Sequence, residues 1–95
     1  MRMCIIGSMQ YAKTIEWVAY KFKKTQQYDI WYAKPSKESL EKLIRKAFEE
    51  IRKADIVLVV SKLDGSIGVG TLYEKIYAES LGKEIIYYDI RGDDK

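Results

Sequence analysis

Apolar and polar positions along the chain change period several times, and each change marks an element. The run at 1–6 is apolar at all but Arg2 and reads as a short buried strand, closed by Gly7-Ser8-Met9. From 10 to about 24, Tyr11, Ile15, Val18 and Phe22 recur at helical spacing. Tyr28-Asp29-Ile30-Trp31-Tyr32 is strand-like but more polar, which suits a sheet edge. Pro35-Ser36 opens a second helix with Ser36 as the expected N-cap, and Leu40, Leu43, Ile44, Ala47, Phe48 and Ile51 form its apolar stripe. The run at 55–60, Asp55-Ile56-Val57-Leu58-Val59-Val60, is continuously apolar after its first residue, as in a central strand covered on both faces. A third helix over 71–81 ends at Gly82, a natural C′ residue, and 83–88 supplies a fourth strand. The polar tail at 91–95 is expected to fray.

Strictly alternating strands and helices imply a three-layer α/β/α domain of flavodoxin or Rossmann-like type, with a mainly parallel sheet. The first and third runs carry the strongest buried-strand signals, so they take the central places and the order is 2-1-3-4. Ligands in such sheets bind at the carboxyl ends of the strands, beside the point where the strand order reverses. Gly7-Ser8-Met9 and the loop at 64–71 meet there.

The stretch 64–74, Asp-Gly-Ser-Ile-Gly-Val-Gly-Thr-Leu-Tyr-Glu, holds three of the six glycines. A glycine-rich turn from strand to helix lets backbone N–H groups approach an anionic or sugar ligand. Gly65, Gly68 and Gly70 are candidates for that contact, and Ile67 and Val69 between them suggest a loop that packs against a base or a partner subunit. Thr71 and Glu74 have the spacing of a capping box, which gives Glu74 a purely structural reading. A first-turn carboxylate held ionised by the helix dipole would equally suit a nucleophile. Likewise Gly7 and Ser8 read either as donors to a ligand oxygen or as a tight turn with a special glycine dihedral and an N-cap. Most of the eight tyrosines should be packing residues with a wet hydroxyl; Tyr32, near the carboxyl end of strand 2, could instead stack on a ligand, with packing the favoured reading.

Composition narrows the chemistry. Ninety-five residues suit one domain, read over 1–90, and a chain this short buries only roughly 60–65% of its unfolded surface, which makes a homo-oligomer, a dimer, expected. Basic residues interleave with acids along the helices, and the net charge is only +3. No basic block carries aromatics between its charges, so nucleic-acid binding is not expected. The chain has no histidine, which excludes Ser-His and Cys-His catalysis. Its one cysteine, Cys4, lies inside an apolar run and reads as a buried thiol, with neither a disulfide nor a metal site implied. No apolar stretch is long enough to span a membrane and no signal peptide is read, so a cytoplasmic protein without a bound cofactor is the expectation.

The segments Ala54-Asp55-Ile56-Val57-Leu58-Val59-Val60, Asp64-Gly65, Gly70-Thr71-Leu72-Tyr73-Glu74, Tyr77-Ala78 and Gly82-Lys83-Glu84-Ile85-Ile86 together resemble the nucleoside 2-deoxyribosyltransferase family. That family includes deoxynucleoside 5′-monophosphate N-glycosidases, and Gly7-Ser8-Met9 is similar to their opening loop. The resemblance implies cleavage of an N-glycosidic bond with retention, through a covalent glycosyl-enzyme formed on Glu74. It implies a nucleoside or nucleotide as the small-molecule partner, with Gly7, Ser8 and Met9 holding the sugar's 5′ end or its phosphate, and Gly65, Gly68, Gly70 and Thr71 completing the site. Three family positions depart from the pattern. Ala47 and Gly68 stand where aspartates are usual, and Cys4 or Ile5 stands where some members carry a tyrosine. Asp64 is then the acid left to protonate the leaving base. A non-catalytic nucleotide- or nucleotide-sugar-binding module on the same scaffold is the competing reading.

Overall fold

A computed structural model describes residues 1–26, 28–34, 37, 39–61 and 67–88, excepting the side chains of Met9, Thr25, Gln26 and Leu40. The elements are β1 (Arg2–Gly7), a 3₁₀ turn (Met9–Tyr11), α1 (Ala12–Gln26), β2 (Asp29–Tyr32), α2 (Leu40–Lys53), β3 (Ile56–Val60), α3 (Val69–Ser80) and β4 (Glu84–Tyr88). The four strands form one parallel sheet in the order β2-β1-β3-β4, as the burial pattern of the runs implies.

Side-chain parity divides the core into two layers. Met3 and Ile5 of β1 and Ile56, Leu58 and Val60 of β3 pack with Ile15, Val18 and Ala19 of α1 on one face. Cys4, Ile6, Val57 and Val59 pack on the other face with Ile51, Ala54 and Ala78. There α2 and α3 lie side by side, and the rings of Phe48 and Tyr77 stack at 4.6 Å. Asp55 fastens β3 to the start of β1: its carboxylate accepts from the Arg2 N–H at 2.9 Å, and its own N–H donates to the Arg2 carbonyl at 2.8 Å.

Two helix starts differ from the sequence expectation. The first turn of α2 is capped by Ser39, whose hydroxyl accepts from the Lys42 N–H at 3.3 Å, and not by Ser36, which lies outside the described residues with Pro35. Ser39 is the last polar oxygen before the apolar stripe, so capping there leaves the whole stripe inside the helix. The third helix begins at Val69 with Gly68 as N-cap, and Thr71 caps nothing. Its far end agrees with expectation. Gly82 takes φ +72°, its N–H donates to Glu79 and that of Lys83 donates to Ala78, a Schellman closure. The Lys83 ammonium then donates to the Arg52 carbonyl at 2.9 Å, covering the C-terminus of α2. The tail at 91–95 lies outside the described residues.

Candidate functional site

A cleft of about 360 Å³ opens at the carboxyl ends of β1 and β2, beside the first turns of α3. It lies where the strand order reverses, the place that open α/β sheets use for ligands. Gly7 and Ser8 enter from the end of β1, and Gly68, Gly70, Thr71 and Glu74 from the start of α3. The structure thus brings together six of the nine candidate site residues. Of the others, Met9 contributes backbone to the 3₁₀ turn, and Asp64 and Gly65 fall outside the described residues.

The local reasons differ from those read in sequence. Gly7 has no positive φ; among the described glycines Gly82 alone does. Its lack of a side chain matters for space, because a Cβ would meet Ile15 Cδ1 at 3.0 Å, the Val60 carbonyl oxygen at 3.2 Å and Val60 Cβ at 3.3 Å. The glycine lets β1 end tightly against β3 and α1 before the chain turns. Ser8 follows, and its carbonyl accepts the Tyr11 N–H at 2.9 Å to close the 3₁₀ turn. Gly70 is the opposite case: a Cβ there would touch nothing within 4 Å.

Moving the start of α3 to Val69 changes the position of Glu74. It becomes the sixth residue of the helix, in the second turn, beyond the reach of a capping interaction with the N-terminus. Thr71, the third residue, is buried at 3% exposure and serves as wall rather than cap. Burial in this apolar wall pushes the Glu74 carboxyl up from 4.5 to about 7. Desolvation disfavours the charged form, and no ion pair or hydrogen bond compensates it among the described residues. Burial also holds the Cys4 thiol far above its ordinary range, with further contributions from the Glu74 and Glu50 charges. The thiol is therefore protonated and inert, and among the described residues no three potential metal ligands converge.

The rest of the wall is apolar and includes Trp31, Ala33, Leu43, Ile44 and Ala47. Trp31 is the aromatic at the site, whereas Tyr32 turns to the opposite face and packs with the α1 layer. Register makes the difference visible: Trp31 pairs with Cys4, and Cys4 with Val57, so all three share the α2–α3 face. Following that parity from the buried strand would have picked Trp31 over Tyr32. Ala47 and Gly68 both lie in the wall, so methyl and hydrogen occupy places where the resemblance leads one to look for carboxylates.

The fold is similar to that of the solved 2-desoxiribosyltransferase from Leishmania mexicana, with a TM-score of 0.66 and 20% sequence identity. The match covers 93% of this chain and 63% of that one, so the chain spans less than two thirds of the length of the protein it resembles. At this identity the likeness is one of fold. No family model and no curated protein matches the sequence.

Proposed function

We propose that the cleft binds a nucleoside or nucleotide and that Glu74 attacks its anomeric carbon, cleaving or transferring the N-glycosidic bond. The observation that supports this most is a desolvated carboxylate in a switch-point cleft whose rim is built by Gly7-Ser8 and the glycine-rich start of α3. A carboxyl raised to about 7 is about half ionised at neutral pH, and its ionised form, poorly solvated, is a strong nucleophile. In the step, a Glu74 oxygen bonds to the anomeric carbon while the C–N bond breaks and its electrons leave with the base. Water or a second base then displaces the carboxylate from the opposite side, giving net retention. Asp64, four residues after the last residue of β3 in sequence, is the proposed donor of the proton that the departing base requires. The likeness in fold to a deoxyribosyltransferase agrees with this reading.

The test is incubation with deoxynucleosides and their 5′-monophosphates, followed by chromatography for free base. Base release that is abolished in Glu74→Ala is expected; release that survives the substitution, or no release from any substrate, refutes the catalytic reading. Ala47 and Gly68 in the wall favour a second reading, a binding module without turnover. Saturable calorimetric binding of nucleosides or nucleotides with no base released would establish that alternative, and absence of binding across the panel would remove it.

A further inference from the structure

The outer side of β2 carries a second feature, independent of Glu74. β2 is an edge strand, joined among the described residues only to β1. The Asp29 N–H donates inward to Met1 at 3.1 Å. Because successive residues of a strand direct their backbone groups to opposite sides, the N–H and C=O of Ile30 and Tyr32 point outward, away from β1. A groove of about 620 Å³ runs along that open side, between α1 and α2. Lys23 of α1, Lys46 of α2 and Lys34 beyond the end of β2 line it, against one carboxylate among the described residues, Glu16. Lys34 sits over the Tyr32 ring at 5.7 Å, and neither Lys23 nor Lys46 has an ion pair among the described residues.

We propose that this groove receives an extended acidic segment of another protein, which adds to the sheet as a fifth strand beside β2. Outward N–H and C=O groups supply the main-chain ladder that strand addition uses. The lysines decide the occupant. Lys23 and Lys46 come from helices on opposite faces of the sheet, and neighbouring side chains of an added strand also point to opposite faces. Two consecutive acidic residues would therefore each meet one ammonium. A second copy of this chain is a poor occupant, since pairing β2 with β2 about a two-fold axis would bring the same lysines together. Edge lysines repel unselected strands, and here they select for negative charge. Trp31, Ala33 and Leu43 line both the groove and the Glu74 cleft, so the bound segment would lie against the back of the cleft wall.

The experiment uses the full chain and a fluorescein-labelled eight-residue peptide of alternating Val and Thr with a central Glu-Glu pair. Fluorescence anisotropy measures affinity, and ¹⁵N-resolved NMR follows the amides of Ile30 and Tyr32. Saturable binding is expected, with both amides shifting. Charge reversal of the exposed lysines, Lys23→Glu with Lys46→Glu, should weaken it by about tenfold. A peptide of the same charge carrying proline on both sides of the Glu pair, one of which must fall where the ladder needs an N–H, should bind at least as weakly. Absent binding, equal binding of the proline peptide, unshifted amides or indifference to charge reversal would each overturn the proposal. So would displacement of the peptide by inorganic pyrophosphate at lower concentration than by unlabelled peptide, which would make the groove a small-anion site. Self-association lost on charge reversal would overturn it in favour of a second copy.

Discussion

Replacing Glu74 by Gln separates the electrostatics of the cleft from its shape. A carboxyl moved from 4.5 in the unfolded chain to about 7 in the fold costs the ionised native state about 3 kcal/mol, at ~1.4 kcal/mol per tenfold change in proton affinity. The sign follows from proton uptake. Between those two values the native state holds a proton that the unfolded chain has lost. This contribution to stability is therefore fully present below 4.5 and is lost as pH rises through about 7. Glutamine keeps the size of the side chain and cannot ionise. The variant and the parent should have similar stability at pH 4, and at pH 8 the variant should be more stable by about 3 kcal/mol, a large share of what a small domain has. With a urea slope of about 2 kcal/mol/M, the midpoint at pH 8 rises by about 1.5 M. Urea unfolding followed by circular dichroism at pH 4, 6 and 8 measures it. Parallel pH profiles for the two proteins would mean that water solvates the carboxylate in the folded state, and the argument from burial would fail. If Glu74 is also the nucleophile, base release by the parent climbs as pH rises through about 7 and is lost in the variant, so the substitution that stabilises the fold removes its chemistry.

Gly7→Ala should destabilise by about 1–3 kcal/mol, because the new methyl meets a β3 carbonyl that the sheet holds in place, while Gly70→Ala, facing open space, should be neutral or stabilising by up to about 1 kcal/mol; thermal melts of the two variants decide it. The Tyr88 hydroxyl is buried without a hydrogen-bond partner among the described residues, so Tyr88→Phe should stabilise by about 1 kcal/mol in the same melts, and a loss would reveal a partner for it.

Periodicity carried the sheet order because burial of a parallel strand is written into every residue of it: β3 is apolar throughout and β1 nearly so, and only central places bury both faces. The edge place of β2 was legible for the complementary reason, its mixed polarity. The start of α3 was not, and the error passed to the site. Thr71 and Glu74 carry the local signal of a capping box, but Thr71 is drawn into the wall of the cleft, and the helix extends back to an N-cap at Gly68. Tertiary burial outweighs a capping interaction worth about 1 kcal/mol. The consequence for function is larger than the two-residue shift. In the first turn, Glu74 would be an acid kept ionised by N–H groups and dipole. In the second turn it is an acid kept close to neutral by burial, able to be charged or uncharged near pH 7. The same arithmetic accounts for Trp31, which a reading of composition ranks with its neighbours and which strand parity alone assigns to the cleft. Fold, then, follows from patterns that many residues share. The site depends on single residues whose environment is set by where an element begins and which face it presents.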